Sequence, residues 1–176
     1  MVASGDPVAT DLERSSERWL AWLTGEVARR QHPRRPGVLV LWDVLEEWFG
    51  GDDFAGSAVA AAVAAPPDGR GPAAHAALVH HRLATRQLLE DLARAAGARD
   101  PVGLAGQLLT LVEGAIVGAL IDRHPGAARH ARELTEIALR AASASAGYRS
   151  SAIVRRASVP PKDDGEGDQG YGEGQL

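Results

Sequence analysis

A chain of 176 residues, 45% of them hydrophobic, is long enough for one folded domain with a substantial core. The absence of cysteine excludes a disulfide framework, a zinc–thiolate site and a thiol nucleophile. The net charge of −4 sits wholly in residues 162–176, where Lys162 is outnumbered by Asp163, Asp164, Glu166, Asp168 and Glu173; the remainder is neutral and lacks the strong basic stripe of a nucleic-acid-binding domain.

Residues 1–10 are small and polar and are expected to be disordered. They show no basic start followed by an apolar core, so no secretory signal is read there. Asp11 to Arg30 reads as a helix with Leu12, Trp19, Leu20, Leu23 and Val27 on one stripe and Trp22 widening it. Arg29, Arg30, Arg34 and Arg35, around His32, are read as favourable charge at a helix C-terminus and a solvated turn, in preference to a phosphate-contacting patch. Gly37 to Phe49 is the second helix: Val38, Trp42, Leu45 and Phe49 share a face that Leu41, Val44 and Trp48 widen. Gly50-Gly51 ends it, and Asp52 or Asp53 is a capping candidate for the next helix.

Phe54 to Ala65 reads as a short helix of small residues closed by Pro66-Pro67, and residues 66–72 as a loop. A long helix is expected over Ala73 to Ala96, with Leu78, Val79, Leu83, Leu88, Leu89 and Leu92 on its apolar side. Gly97 suits a helix stop, Asp100 an N-cap and Pro101 the first helical position. The helix from there to Leu120 is apolar on most sides, with Gln107, Thr110 and Glu113 as a narrow polar strip, and is expected to be the central helix. No charge-free apolar run approaches membrane-spanning length, and a cytoplasmic location without membrane contact is expected. After His124-Pro125-Gly126, Ala127 to Ala142 forms the last helix, with a stripe of Ala127, Ala131, Leu134, Ala138 and Ala141 and Ile137 beside it. The acidic, Gly-rich residues 143–176 read as a disordered tail. The expected fold is all-α, a bundle of about six helices over residues 11–142.

Enzymatic signals are weak. No histidine pair stands at i, i+4, no Glu-x-x-His pair exists, and neither a P-loop nor G-x-G-x-x-G nor G-x-S-x-G occurs. No catalytic residue, metal or cofactor is expected; His80 and His81 are read as core-edge or exposed residues. The large aromatics instead crowd into the first 54 residues. They suggest a cavity for a small apolar molecule, lined by Trp42, Leu45, Phe49, Phe54, Leu83 and Val112. A helix apolar on too many sides for one monomer, followed by an alanine-rich one, suggests a homodimer built through Leu108, Leu111, Ala115, Gly118, Ala131, Leu134 and Ala138.

LWDVLEEWF (41–49), FAGSAVAAA (54–62, with Ser57 where cysteine is frequent), the run PPDGRGP…GARDP (66–101), LAGQLLTLVEGAIVGAL (104–120) and AARHARELTEIAL (127–139) come in a particular order. Together they resemble the C-terminal ligand-binding and dimerisation domain of TetR-family transcriptional regulators. The resemblance covers roughly residues 11–142. It implies an all-helical repressor domain that dimerises through its last two long helices and holds a small, usually apolar effector. The family's N-terminal helix-turn-helix has no counterpart before residue 11, so no specific DNA binding is expected of this chain alone. DNA reading would then belong to a segment lost or encoded upstream of Met1. A chain that heterodimerises with a complete regulator is the alternative, and a small helical enzyme the third reading.

Overall fold

The computed structural model describes residues 6–66 and 71–157, with side chains as far as Ala141. Among them the chain forms six helices: α1 (Pro7–Arg30), α2 (Gly37–Phe49), α3 (Ala58–Ala64), α4 (Pro72–Ala95), α5 (Pro101–Asp122) and α6 (Gly126–Ala157). The disorder expected for residues 1–5 and 158–176 falls outside the described residues, as do residues 67–70 of the expected loop.

Most helices start where a side chain accepts from the free N–H groups, or where a proline has none to satisfy. Asp6 accepts from the N–H groups of Val8 and Ala9, with Pro7 at the first turn, so α1 begins before Asp11 and residues 7–10 are helical instead of disordered. Ser57 accepts from Ala60 and starts α3, which is shorter than expected because Phe54 and Ser57 make turn bonds to Gly51 and Phe54. Asp100 accepts from the Gly103 N–H at 2.8 Å, with Pro101 behind it. Gly97 has φ of 78° and supplies the left-handed residue between α4 and α5. One compact unit ends at Ser143. The described backbone is helical on to Ala157, past the end expected at Ala142, over a stretch free of proline.

Helix α4 packs on α1 and on α5, α2 reaches all three, and α3 touches α1 and α5. The most completely buried element is α2, more so than the helix ending at Leu120. Val38, Val40, Leu41, Trp42, Val44 and Leu45 are each at most 1% exposed. The acidic residues of α2 are all consumed by neighbours. Asp43 pairs with Arg132 at 2.5 Å and with Arg35, Glu46 with Arg129, and Glu47 with Arg30 at 2.5 Å. Trp42 Nε1 donates to Thr135 Oγ1 at 2.9 Å, and that hydroxyl donates to the Ala131 carbonyl at 2.8 Å, which pins α6 to α2.

Two helical faces lie elsewhere than expected. On α4 the buried row is Ala74, Ala77, Leu78, His81, Thr85, Leu89 and Leu92, whereas Leu83 and Val79 are exposed. At 3.6 residues per turn Leu83 lies about 140° around the helix from Leu78, and His81 only about 60°. On α6 the buried positions with described side chains are Gly126, Ala128, Ala131 and Thr135, so Leu134 turns outward. By length and composition α5 is long and apolar enough to cross a membrane, contrary to the sequence expectation. Within this fold its Leu104, Leu108, Val112 and Ile116 row is buried in the core of the bundle.

Candidate functional site

The six residues expected to line an apolar cavity do not line a common one. Trp42, Leu45, Phe49, Phe54 and Val112 are packed core residues, and Leu83, 62% exposed, faces solvent. None of the six borders any of the four clefts described on the surface. The physical reason is the completeness of α2's packing: its apolar residues meet helices on every side, so the aromatic side chains fill space instead of enclosing it.

The open space lies on the outer side of the aromatic cluster. A cleft of about 830 Å³ runs between α1, the end of α2 and the α2–α3 connection. Helix α1 supplies Asp11, Ser15, Arg18 and Trp22, spaced by four, three and four and therefore stacked on one face, together with Trp19. Helix α2 contributes Trp48. The Gly50-Gly51 turn, closed by the Gly51 N–H bonding the Trp48 carbonyl at 3.0 Å, brings Asp52 and Asp53 to the rim, and Ser57 closes the far side. Trp48 lies between the other two indoles, with ring centroids 5.5 Å from Trp19 and 6.4 Å from Trp22, both tilted. Phe54 packs edge-on behind Trp48 at 4.9 Å and beside Phe49 at 4.9 Å. The sequence does signal this group, through Trp19 and Trp22 one turn apart and Asp52-Asp53 directly after Gly-Gly. The capping role expected of those aspartates falls to Ser57 instead.

Behind the cleft, Trp19 also touches His81, with ring centroids 5.3 Å apart. His81 is 3% exposed, which corrects its reading as a core-edge or exposed residue. Its Nδ1 stands 2.8 Å from Ser16 Oγ, and its Nε2 is 3.4 Å from Thr85 Oγ1. The Thr85 hydroxyl donates to the His81 carbonyl, so it can only accept from Nε2–H, which leaves Nδ1 to accept from Ser16. Burial pushes the imidazole pKa down to about 4, so the ring is neutral at pH 7. Ser16 and His81 have the spacing of a nucleophile and its base. Both are buried, however, and the second ring nitrogen meets a hydroxyl in place of a carboxylate, so the contact joins α1 to α4.

Three of the four arginines near residue 30 are spent on ion pairs: Arg29 and Arg30 with Glu26, Arg30 again with Glu47, and Arg35 with Asp43, while Arg34 is exposed. Glu26, held by hydrogen bonds from Arg29 and Arg30, and Glu47, held by one from Arg30, both lie below the usual carboxylate range. Among the described residues no group of three or more His, Asp or Glu could hold a metal ion.

Of the residues expected at a dimer interface, Leu108, Ala115 and Ala131 are buried within the single chain, and Leu111 and Ala138 are half-buried. Gly118 faces α6 of its own chain, where a Cβ would stand 3.5 Å from the Cβ of Ala127. Only Leu134, 50% exposed, is freely available. The two closing helices nevertheless leave Ile121 75% and Ile137 56% exposed, and Gly114 has open space beside it. The chain matches no family model, no curated protein and no solved structure.

Proposed function

We propose that this chain is a ligand-sensing, self-associating helical domain of the type that TetR-like transcriptional regulators carry beside their DNA-reading part. The observation that carries the reading is the exposed apolar surface of the last two helices, Ile121 on α5 with Leu134 and Ile137 on α6. Three branched aliphatic side chains at least half exposed leave apolar area that a second copy would remove from water. The order of helices in the fold supports the same reading, because the closing pair α5–α6 follows a long helix and a short helix of small residues. The expected interface therefore keeps Leu134 and moves outward to Ile121 and Ile137. The effector's place moves from the filled core to the tryptophan-lined cleft. No transcriptional role for the isolated chain on duplex DNA belongs to this proposal.

The test is sedimentation equilibrium at micromolar concentration. The wild type is expected to dimerise, and Leu134→Glu with Ile137→Glu to give a monomer of unchanged helicity by circular dichroism, because two unpaired charges in an apolar interface cost several kcal/mol, roughly. A monomeric wild type would refute self-association. A double variant that stays dimeric would place the interface on another face.

A further inference from the structure

Three indoles and three carboxylates converge on the cleft between α1 and the α2–α3 connection. None of Asp11, Asp52 and Asp53 has a cationic partner among the described residues, whereas most other acidic groups near the fold's surface are paired. The single cation of the lining, Arg18, is engaged with Ser15 Oγ at 3.3 Å and leaves the carboxylates in excess. Trp19 is 6% exposed and its Nε1–H is sealed from solvent, so it is the indole ring and not the N–H that borders the cleft. Aromatic faces attract positive charge through their quadrupole, and nearby carboxylates add a Coulombic term of the same sign. Neutral apolar compounds gain nothing from the aspartates, and anions are repelled by them.

We propose that this cleft binds a small organic cation, a quaternary or aromatic ammonium, held against Trp19, Trp22 and Trp48 with its charge balanced by Asp52 and Asp53. As the effector chemistry of the sensor, the inference rests on the reading above; as binding, it is measured separately.

The protein has four tryptophans, so its indole N–H resonances form a four-signal spectrum with a built-in control. Trp42 Nε1–H is bonded to Thr135 in the core, away from the cleft. On titration of the full chain with benzyltrimethylammonium chloride, the signals of Trp19, Trp22 and Trp48 are expected to shift saturably, with a dissociation constant of about 1 mM or tighter, while that of Trp42 stays in place. Asp52→Asn with Asp53→Asn should weaken binding about tenfold, and Arg18→Gln should tighten it. The unmoved Trp42 signal certifies the fold of each variant. The proposal is overturned by no saturable shift up to about 10 mM, by phenylacetate binding as well as the ammonium, or by undiminished affinity in the double aspartate variant. Sedimentation equilibrium with and without the cation separates the two readings. Saturable binding with an unchanged association state keeps the cation site and rejects the sensor. A dimer that binds no cation keeps self-association and rejects the site.

Discussion

Helices α2 and α5 are both strongly apolar, yet the fold treats them differently. In α2 nearly every apolar side chain is sealed, and Asp43, Glu46 and Glu47 reach arginines of α1, α6 and the α1–α2 connection. In α5, nine residues longer, one face is buried and the other runs through Gly103, Gln107, Thr110, Gly114 and Ile121 to solvent. The difference is one of neighbours. Helix α2 is short enough to be surrounded, touching α1, α4, α5 and, through Trp42, α6, whereas α5 closes the layer beyond α4. Hydrophobicity along a helix therefore says how much of it must be covered, and position in the bundle says by what: its own chain for α2, a second copy, on our proposal, for α5.

Substitutions can break or sharpen this contrast. The largest effect is expected at α2. Trp42→Ala removes a fully buried indole and its bond to Thr135 and should cost about 3–5 kcal/mol in urea unfolding. A loss under about 1 kcal/mol would mean that the packing around α2 contributes little to the fold.

Next in size is a pH effect from α4, the helix between α1 and α5. The folded pKa of His81, about 4, lies below its ordinary value of 6.5, so the unfolded chain binds this proton first as pH falls. The associated stability is complete above pH 6.5 and is lost on descent towards pH 4, by at most about 3 kcal/mol. Glu26 and Glu47, with lowered pKa values, lose their contributions further down, as pH falls from about 4.5 through their folded values. Unfolding measured between about pH 6.5 and 4.5 should therefore decline in the wild type and flatten in His81→Phe. An equal decline in the variant would remove His81 as the cause.

Smaller still is the pair Arg82–Glu113 between α4 and α5, with side chains 50% and 26% exposed. Glu113→Gln should change stability by under about 1 kcal/mol, and less in high salt. The least effect on the fold itself is expected for Ile121→Ala on the open side of α5, within about 0.5 kcal/mol when unfolding is measured at concentrations too dilute for association. A large loss there would show that this face is already covered within the chain.

The helices themselves are legible in the sequence because each carries local signals. Asp100-Pro101 starts α5, Gly97 stops the chain before it, and the rows through Leu12, Trp19, Leu23 and Val27 and through Val38, Trp42, Leu45 and Phe49 are buried as their spacing requires. The candidate site is less legible. The aromatic crowding is plain, but whether a tryptophan fills a core or walls a cleft depends on what packs on its other side. Trp42 meets Thr135, 93 residues away, while Trp22 and Trp48 meet solvent and the Asp52-Asp53 turn.

By itself the sequence determined that the chain is all-helical and, except for the C-terminal end of α6, where its helices begin and end to within a few residues, because caps, prolines and apolar periodicity act over one or two turns. Only the tertiary structure decided that α2 is sealed more completely than α5, that His81 is buried and Leu83 exposed, and that the open space lies outside the aromatic cluster. Those outcomes depend on which faces meet across distant segments, and a hydrophobic residue is equally apolar whichever partner, if any, covers it.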